Sequence, residues 1–562
     1  MTATIFSAAG RDAVWASLGE DVFDLVVIGG GITGSGVARD AAGRGLRVAV
    51  VEQGDVGAGT SSRSSRLIHG GLRYLETFEF GLVFEALRER RLLLQLAPHL
   101  VKPLPFLYPV FKGDRTGPLK LRAGMWLYDL LSTFRSPRFH RMLNPAGVAR
   151  TEPLLEKAGV RGGAIYYDAQ VDDARLTLAV ARAAVETGVT YLTHARVDRI
   201  TPLEGRGFEM EVIDGMPSGH RTTVRANTVL NATGPWCDEV RRLADADITP
   251  RLRPTKGVHV VVDQRRVGNQ GAILLRSNVD GRVMFVLPWG ALTYLGTTDT
   301  EFQGDPDSAR ANLADVQYLL DSANALFPEA RLELDDVVST WAGVRPLLAP
   351  APRQHLSESE TSREHEIWRD PSGLVNIAGG KLTTFRSMAA EAVDFLTAIL
   401  KEEFGVPSGN FHTEFLPLPG APQEDWEGAS LRLQSAAMAL GIPPSTAALM
   451  VNRYGEDITD VLALVRDDAS LGEPLLPGGV YIRAEVIYAV RAELALTLED
   501  VMRRRLHLFY EEVDGGLSVA RRIAAMMGAE LGGLWGPDEE ARQVAAYEAT
   551  VEATRPRSAA ER

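Results

Sequence analysis

Residues 24–52 read DLVVIGGGITGSGVARDAAGRGLRVAVVE: an apolar run, a glycine cluster, a helical stretch and a second apolar run. The unbroken β-branched runs at 25–28 and 48–51 have the composition of strands buried on both faces, as in a parallel sheet. The stretch between them suits a helix to Ala42 and is stopped by Gly43 and Gly45. Further strands are expected at 190–200, 208–213, 228–231 and 374–378. A separate group, VHVVVD (258–263), GAILLR (271–276), VMFVLPW (283–289) and LTYLGTT (292–298), predicts another sheet. Helical spacing marks 11–18, 82–96, 121–134, 172–188, 308–327 and a stretch ending near 400. Residues 407–424 are rich in Pro and Gly and read as a linker. The pattern beyond them is helical, with its clearest period at 484–505.

This order predicts an α/β fold: a Rossmann-like nucleotide-binding domain, an inserted antiparallel-sheet domain and an α-helical C-terminal domain. The first region spans 20–405, with nucleotide-binding parts at about 20–100, 165–238 and 335–405 and insertions at about 101–164 and 239–334. The linker covers 406–424 and the helical domain 425–555.

The glycines add chemistry to the pattern. Gly29, Gly31 and Gly34 form G-x-G-x-x-G between a strand and a helix. Gly29 permits the tight turn, Gly31 lets a pyrophosphate approach the backbone, and Gly34 lets helix and strand pack closely. The pyrophosphate then meets the free N–H groups and dipole of a helix N-terminus. Glu52 closes the second strand, where a carboxylate can accept from both ribose hydroxyls, favouring FAD or NAD over NADP. Thr60, Ser61 and Ser62, with Gly70 and Gly71, suit a loop wrapped around a cofactor. Ala232 and Gly234 follow the strand at 228–231 and let the backbone approach the same dinucleotide. A second glycine–helix junction, Gly380-Lys381-Leu382-Thr383, can face the electron-rich edge of a reduced flavin, which selects FAD over NAD.

Composition narrows the class. With 562 residues, 45% hydrophobic and 24% charged, the chain fits a multidomain soluble globular protein. Its single cysteine, Cys237, excludes an intrachain disulfide and a cysteine metal cluster, and no metal site is expected. No signal pattern or eighteen-residue apolar run is seen. A net charge of −13 argues against nucleic-acid binding. Within that acidic chain, 101–141 carries eight Lys and Arg against two acids, interleaved with Phe106, Tyr108, Phe111, Trp126, Tyr128 and Phe134. Such a segment suits an interfacial helix on an anionic membrane or, equally, a domain-packing helix with a solvated basic fringe.

The combination of G-x-G-x-x-G, Glu52 and SSRLIHGGLRYLE (64–76) resembles the FAD-dependent glycerol-3-phosphate dehydrogenases. VDDARL (171–176), NATGPW (231–236), KGVHVVV (256–262), GTTDTEFQGDP (296–306), GVRPL (343–347) and GGKLTT (379–384) extend the likeness, closely over about 20–400. The resemblance implies an FAD domain of the glutathione-reductase/D-amino-acid-oxidase type and oxidation of glycerol 3-phosphate to dihydroxyacetone phosphate. It also implies electron delivery to a membrane quinone, a homodimer, and a cytoplasmic location with peripheral attachment to the inner or plasma membrane. That implication favours the membrane reading of 101–141. At motif positions, Arg73, Tyr74, Arg345 and Lys381 are the expected substrate-binding residues, with Arg363 a weaker match because Glu364 stands where the family has Asp. Arg suits a phosphate dianion because its planar fork pairs with phosphate oxygens. His259 is the candidate base, assigned with Arg345 to catalysis, and could instead only hydrogen-bond substrate. Competing readings are an oxidase passing electrons to oxygen, a flavin amine oxidase acting on glycine or sarcosine, and a flavoprotein without turnover.

Overall fold

A computed structural model describes residues 6–203, 207–277, 279–349 and 364–555. Among these, one sheet has the order His365–Arg369, Val375–Gly379, Arg221–Asn231, Val22–Ile28, Val48–Val51, Thr190–Leu192. The four pairings from Val375–Gly379 across to Thr190–Leu192 are parallel. The side chains of the first strand divide between two cores. Leu25 and Val27 pack with Val37, Ala38, Ala41 and the helix Phe385–Phe404. Val26 and Ile28 pack with Trp15, Leu18 and the antiparallel strands Ala195–Pro202 and Phe208–Asp214. Unbroken apolar runs are therefore required, because both faces are covered. The strand expected at 190–200 is two strands, separated at Thr193 and His194, where His194 takes φ 50°.

The second sheet is mainly antiparallel, and near one end of it Thr255–Asp263 pairs with Leu292–Gly296 on one edge and Val337–Arg345 on the other. It also takes in Val101–Phe111 and Val160–Val171, paired over their length. Parts of 165–238 and 335–405 assigned to nucleotide binding thus belong to this sheet, because Val160–Val171 and Val337–Arg345 find their hydrogen-bond partners there. The basic segment 101–141 is likewise not one surface unit. Val101–Phe111 is a sheet strand with Phe106 buried, and only the helix Pro118–Leu131 and the residues after it carry the exposed aromatic face.

The helical domain is fused to the rest. One continuous core runs from Phe106, Tyr166 and Trp341 to Leu496, Phe509, Ile523 and Met527. The Pro/Gly-rich linker lies along the nucleotide domain: Leu418 is buried with its N–H on Leu96 O, and Arg39 donates to Leu416 O. The single helix expected at 484–505 is broken. Arg483–Ala492 ends, Leu494 takes φ 54°, and Thr497 and Asp500 form a capping box that starts a new helix. A cap of this kind satisfies orphan N–H groups that an apolar period alone does not reveal.

Candidate active site

The parallel strands all end on one side, and their C-terminal ends border a cavity of about 850 Å³, the place where open α/β sheets bind ligands. Gly29, Gly31, Glu52, Thr60, Ser61, Ala232, Gly234, Gly380, Lys381 and Leu382 line it. Gly29 has φ 110°, and a Cβ on Gly34 would lie 2.0 Å from Gly29 O, so both positions require glycine. Ser61 Oγ accepts from Ile32 N at 2.9 Å and closes the loop onto the helix N-terminus. Glu52 accepts from Gly30 N at 2.5 Å and from Gly54 N at 2.7 Å, and burial raises its carboxyl above the usual range. Volume, glycine backbone and an acid at the end of the second strand all fit a dinucleotide.

Five expected cofactor contacts, Gly34, Ser62, Gly70, Gly71 and Thr383, stand outside that wall. Gly70 N donates to Tyr128 Oη and Asp168 Oδ1, and a Cβ there would strike Leu87 and Tyr128, so this glycine serves packing. Gly71, at φ 75°, starts the turn that carries Arg73 and Tyr74. Thr383 Oγ1 accepts from His69 N, tying that turn to the second glycine junction. Gly34 acts through helix packing rather than from the wall.

Five expected substrate residues lie near one another, and of these Lys381 lines the cavity. Arg73 Nη2 donates to Tyr74 Oη at 3.1 Å, and Lys381 Nζ lies 3.8 Å from the Tyr74 ring centre. Arg345 donates to Asp299 Oδ1 at 2.8 Å and Thr297 Oγ1 at 3.0 Å. Burial and the nearby Arg73 lower the Arg345 guanidinium against the pull of Asp299. His259 stacks on Trp341 with ring centres 4.7 Å apart, and its Nε2 lies 2.9 Å from Ser65 Oγ. Burial, Arg345 and Arg66 lower its imidazole well below 6.5, so it is neutral. Arg363 lies outside the described residues.

Sequence reasoning missed the far wall. Thr497, Asp500, Arg504, Gln543 and Tyr547 of the helical domain line the same cavity, as do Arg63, His194 and Trp236. Asp55, His194 and Asp500 lie close enough to hold a metal ion. Guanidinium groups already occupy these carboxylates: Arg504 and Arg505 bond Asp55, and Arg504 bonds Asp500.

A family model described as FAD dependent oxidoreductase matches residues 24–385, and one described as the C-terminal domain of alpha-glycerophosphate oxidase matches 411–540. Fold, cavity and match together define an FAD-dependent oxidoreductase. A glycerol-3-phosphate dehydrogenase 2 from Mycobacterium tuberculosis is 41% identical over 98% of this chain and 92% of its own length. The glycerol-3-phosphate dehydrogenase from Bacillus halodurans, solved in complex with FAD, superposes with a TM-score of 0.81 at 31% identity over 98% of each chain. An L-alpha-glycerophosphate oxidase from Mycoplasma pneumoniae shares the fold at 18% identity and a TM-score of 0.54, over 70% of this chain and 97% of its own. The chain belongs to the FAD-dependent glycerol-3-phosphate dehydrogenases.

Proposed function

We propose that the protein oxidises sn-glycerol 3-phosphate to dihydroxyacetone phosphate and passes the electrons to a membrane quinone. The observation that carries this reading is the meeting of Arg73, Arg345 and Lys381 near a neutral His259, with Lys381 on the wall of the dinucleotide cavity. Three cations from distant parts of the chain match a phosphate dianion in charge, and the arginines match its planar oxygen pairs in shape. Tyr74 holds two of them, through its hydroxyl to Arg73 and its ring to Lys381. Asp299 and Thr297 fix the Arg345 fork. Bound FAD supplies the hydride acceptor. His259, uncharged at neutral pH, takes the hydroxyl proton, and Ser65 and the Trp341 ring set its orientation. Anaerobic addition of glycerol 3-phosphate should bleach the flavin absorbance. If glycine or sarcosine bleaches it and glycerol 3-phosphate does not, the substrate assignment is wrong. Reduction of a quinone dye without matching oxygen uptake is expected, and the reverse would make the protein an oxidase.

Membrane attachment is supported by one surface. Leu119 is 81% exposed and Trp126 58% exposed on the helix Pro118–Leu131, with Leu130, Phe134 and Phe139 beside them and Phe78, Phe80 and Phe84 also exposed. Arg122, Arg135 and Arg138 fringe this face. No described helix is long and apolar enough to cross a membrane. The face suits a helix lying in the headgroup layer of an anionic bilayer. Replacing Trp126 and Leu130 by Ser and the three arginines by Gln should abolish co-sedimentation with phosphatidylserine vesicles. Unchanged partitioning would sink the idea.

A further inference from the structure

Arg63 follows the short turn Thr60–Ser62, with its N–H on Thr60 O at 3.1 Å. That turn lies against the helix N-terminus, because Ser61 Oγ accepts from Ile32 N. On the other side Arg63 rests on the strand Val337–Arg345, where a Cβ on Gly343 would come within 2.7 Å of the Arg63 carbonyl oxygen. The residue faces the dinucleotide cavity alongside Trp236, Asp307 and Glu499.

Its guanidinium forms no ion pair among the described residues, and its Nε is buried with no hydrogen-bond partner. The nearby Glu499 is engaged by Arg503 at 2.6 Å and also faces Arg504. More cations stand close by. Arg503 and Arg310 both repel Arg63, and burial together with these neighbours pushes its guanidinium down to about 10. Arg310 in turn donates to the carbonyl oxygens of Asp307 and Ala309. Glu499 and Asp307 attract Arg63 without bonding it, so its charge is not paired off within the chain. Arg63 lines the same cavity as Gly31, Ile32 and Thr33 at a helix N-terminus, which also favours anions.

We propose that Arg63, backed by Arg310, binds phosphate oxygens of a ligand in this cavity. Two sources share that chemistry: the pyrophosphate of FAD and a free phosphate compound held beside it. The inference rests on the FAD reading of the cavity and is independent of which alcohol is oxidised.

The test uses the full-length holoprotein, its Arg63→Gln variant and the conservative Arg63→Lys. FAD release on dilution, followed by flavin fluorescence, gives the FAD Kd at low and high salt. If the pyrophosphate is the ligand, Arg63→Gln raises that Kd about 10- to 100-fold and flattens its salt dependence, and Arg63→Lys recovers part of the loss. If a free phosphate is the ligand, the FAD Kd is unchanged, while inorganic phosphate raises the thermal midpoint of the wild-type holoprotein over an equal ionic strength of chloride and does not do so for Arg63→Gln. Either result supports the site. An unchanged FAD Kd together with no phosphate-specific stabilisation of the wild type overturns it. Because neither readout uses glycerol 3-phosphate, failure of the substrate assignment leaves this result intact. Should Arg63→Gln fail to fold, Arg63→Lys, which keeps the charge but loses the paired donors, still predicts a weaker FAD Kd or a weaker phosphate response.

Discussion

At Val501–Arg505 three consecutive arginines enter the protein and each finds a carboxylate, whereas at 73, 345 and 381 three cations from separate motifs gather in one place. In the first region Arg505 bonds Asp55 through both terminal nitrogens, Arg504 bridges Asp55 and Asp500, and Arg503 bonds Glu499. Burial alone would raise the Asp500 carboxyl, yet His194, Arg504 and Arg505 hold it well below the carboxylate range. Burial would also lower Arg504, yet Asp55 and Asp500 raise it. In the second region Asp299 pairs with Arg345, while Arg73 and Lys381 rest on Tyr74, and burial leaves the Arg345 guanidinium lowered rather than raised. The first region reaches the cavity through Asp55, Asp500 and Arg504, the second through Lys381. The charge-matched one closes the helical domain onto the nucleotide end as part of the fold. The cation-rich one is suited to an anionic ligand from outside the chain.

The largest effect expected from this contrast is at Asp55. Asp55→Ala strands the Arg504 and Arg505 guanidiniums in the interior and should cost about 3–5 kcal/mol, read as a lower denaturation midpoint at unchanged slope. FAD content should fall with it, since Asp55 also lines the cavity. A variant as stable as the parent would mean that the network is not what docks the helical domain. Arg73→Gln should give the opposite pattern. Its guanidinium donates to the Tyr74 hydroxyl, so stability should stay within about 0.5 kcal/mol. The KM for glycerol 3-phosphate should rise about 10- to 100-fold, the range for hydrogen bonds to a charged group. Loss of folding with an unchanged KM would reverse the roles of the two regions.

The second region was legible in the chain and the first was not, for a physical reason. Whereas Gly343 in GVRPL makes room for the Arg63 carbonyl, HGGLRY and GGKLTT each place a cation close to glycines in the left-handed region, and short-range spacing reports that geometry. Gly379 and Gly380, both with φ near 80°, are an instance. Asp299, within the quoted GTTDTEFQGDP, was available but unmarked, since nothing local says which arginine it meets. The run RRR at 503–505 read as the end of an amphipathic helix because its periodicity was good. Its partners Asp55 and Glu493 lie far away or across the break that Leu494 makes. Arg63 had the same problem: its surroundings come from four separate stretches. The parallel sheet and the strands around His259 were readable because burial on one or both faces writes itself into consecutive residues. The division of the second sheet among 101–111, 160–171 and 337–345 depends on long-range pairing, which local pattern does not carry.

The smallest expected effect bears on His259, which feels two of the cations around it. Its imidazole is neutral because it is buried and because Arg345 and Arg66 stand near it. The folded pKa lies below the unfolded value of about 6.5, so below about pH 6.5 the unfolded chain binds the extra proton. The stability this group permits is therefore present above pH 6.5 and is lost as pH falls below it, with a slope of at most about 1.4 kcal/mol per pH unit. His259→Gln should flatten that part of the stability curve. For the same reason His259 should add no inflection near 6.5 to kcat/KM once the second ionisation of the substrate's own phosphate, at about pH 6, is divided out. Once a phosphate dianion neutralises Arg345, the imidazole is easier to protonate, so the acid limb of kcat should lie at higher pH than that of kcat/KM. In Arg345→Ala the free enzyme has already lost that cation, and the two limbs should move together. If the limbs coincide in the parent protein, the cations at 73, 345 and 381 are not being neutralised beside His259, and the contrast between the two regions fails at the point where the chemistry depends on it.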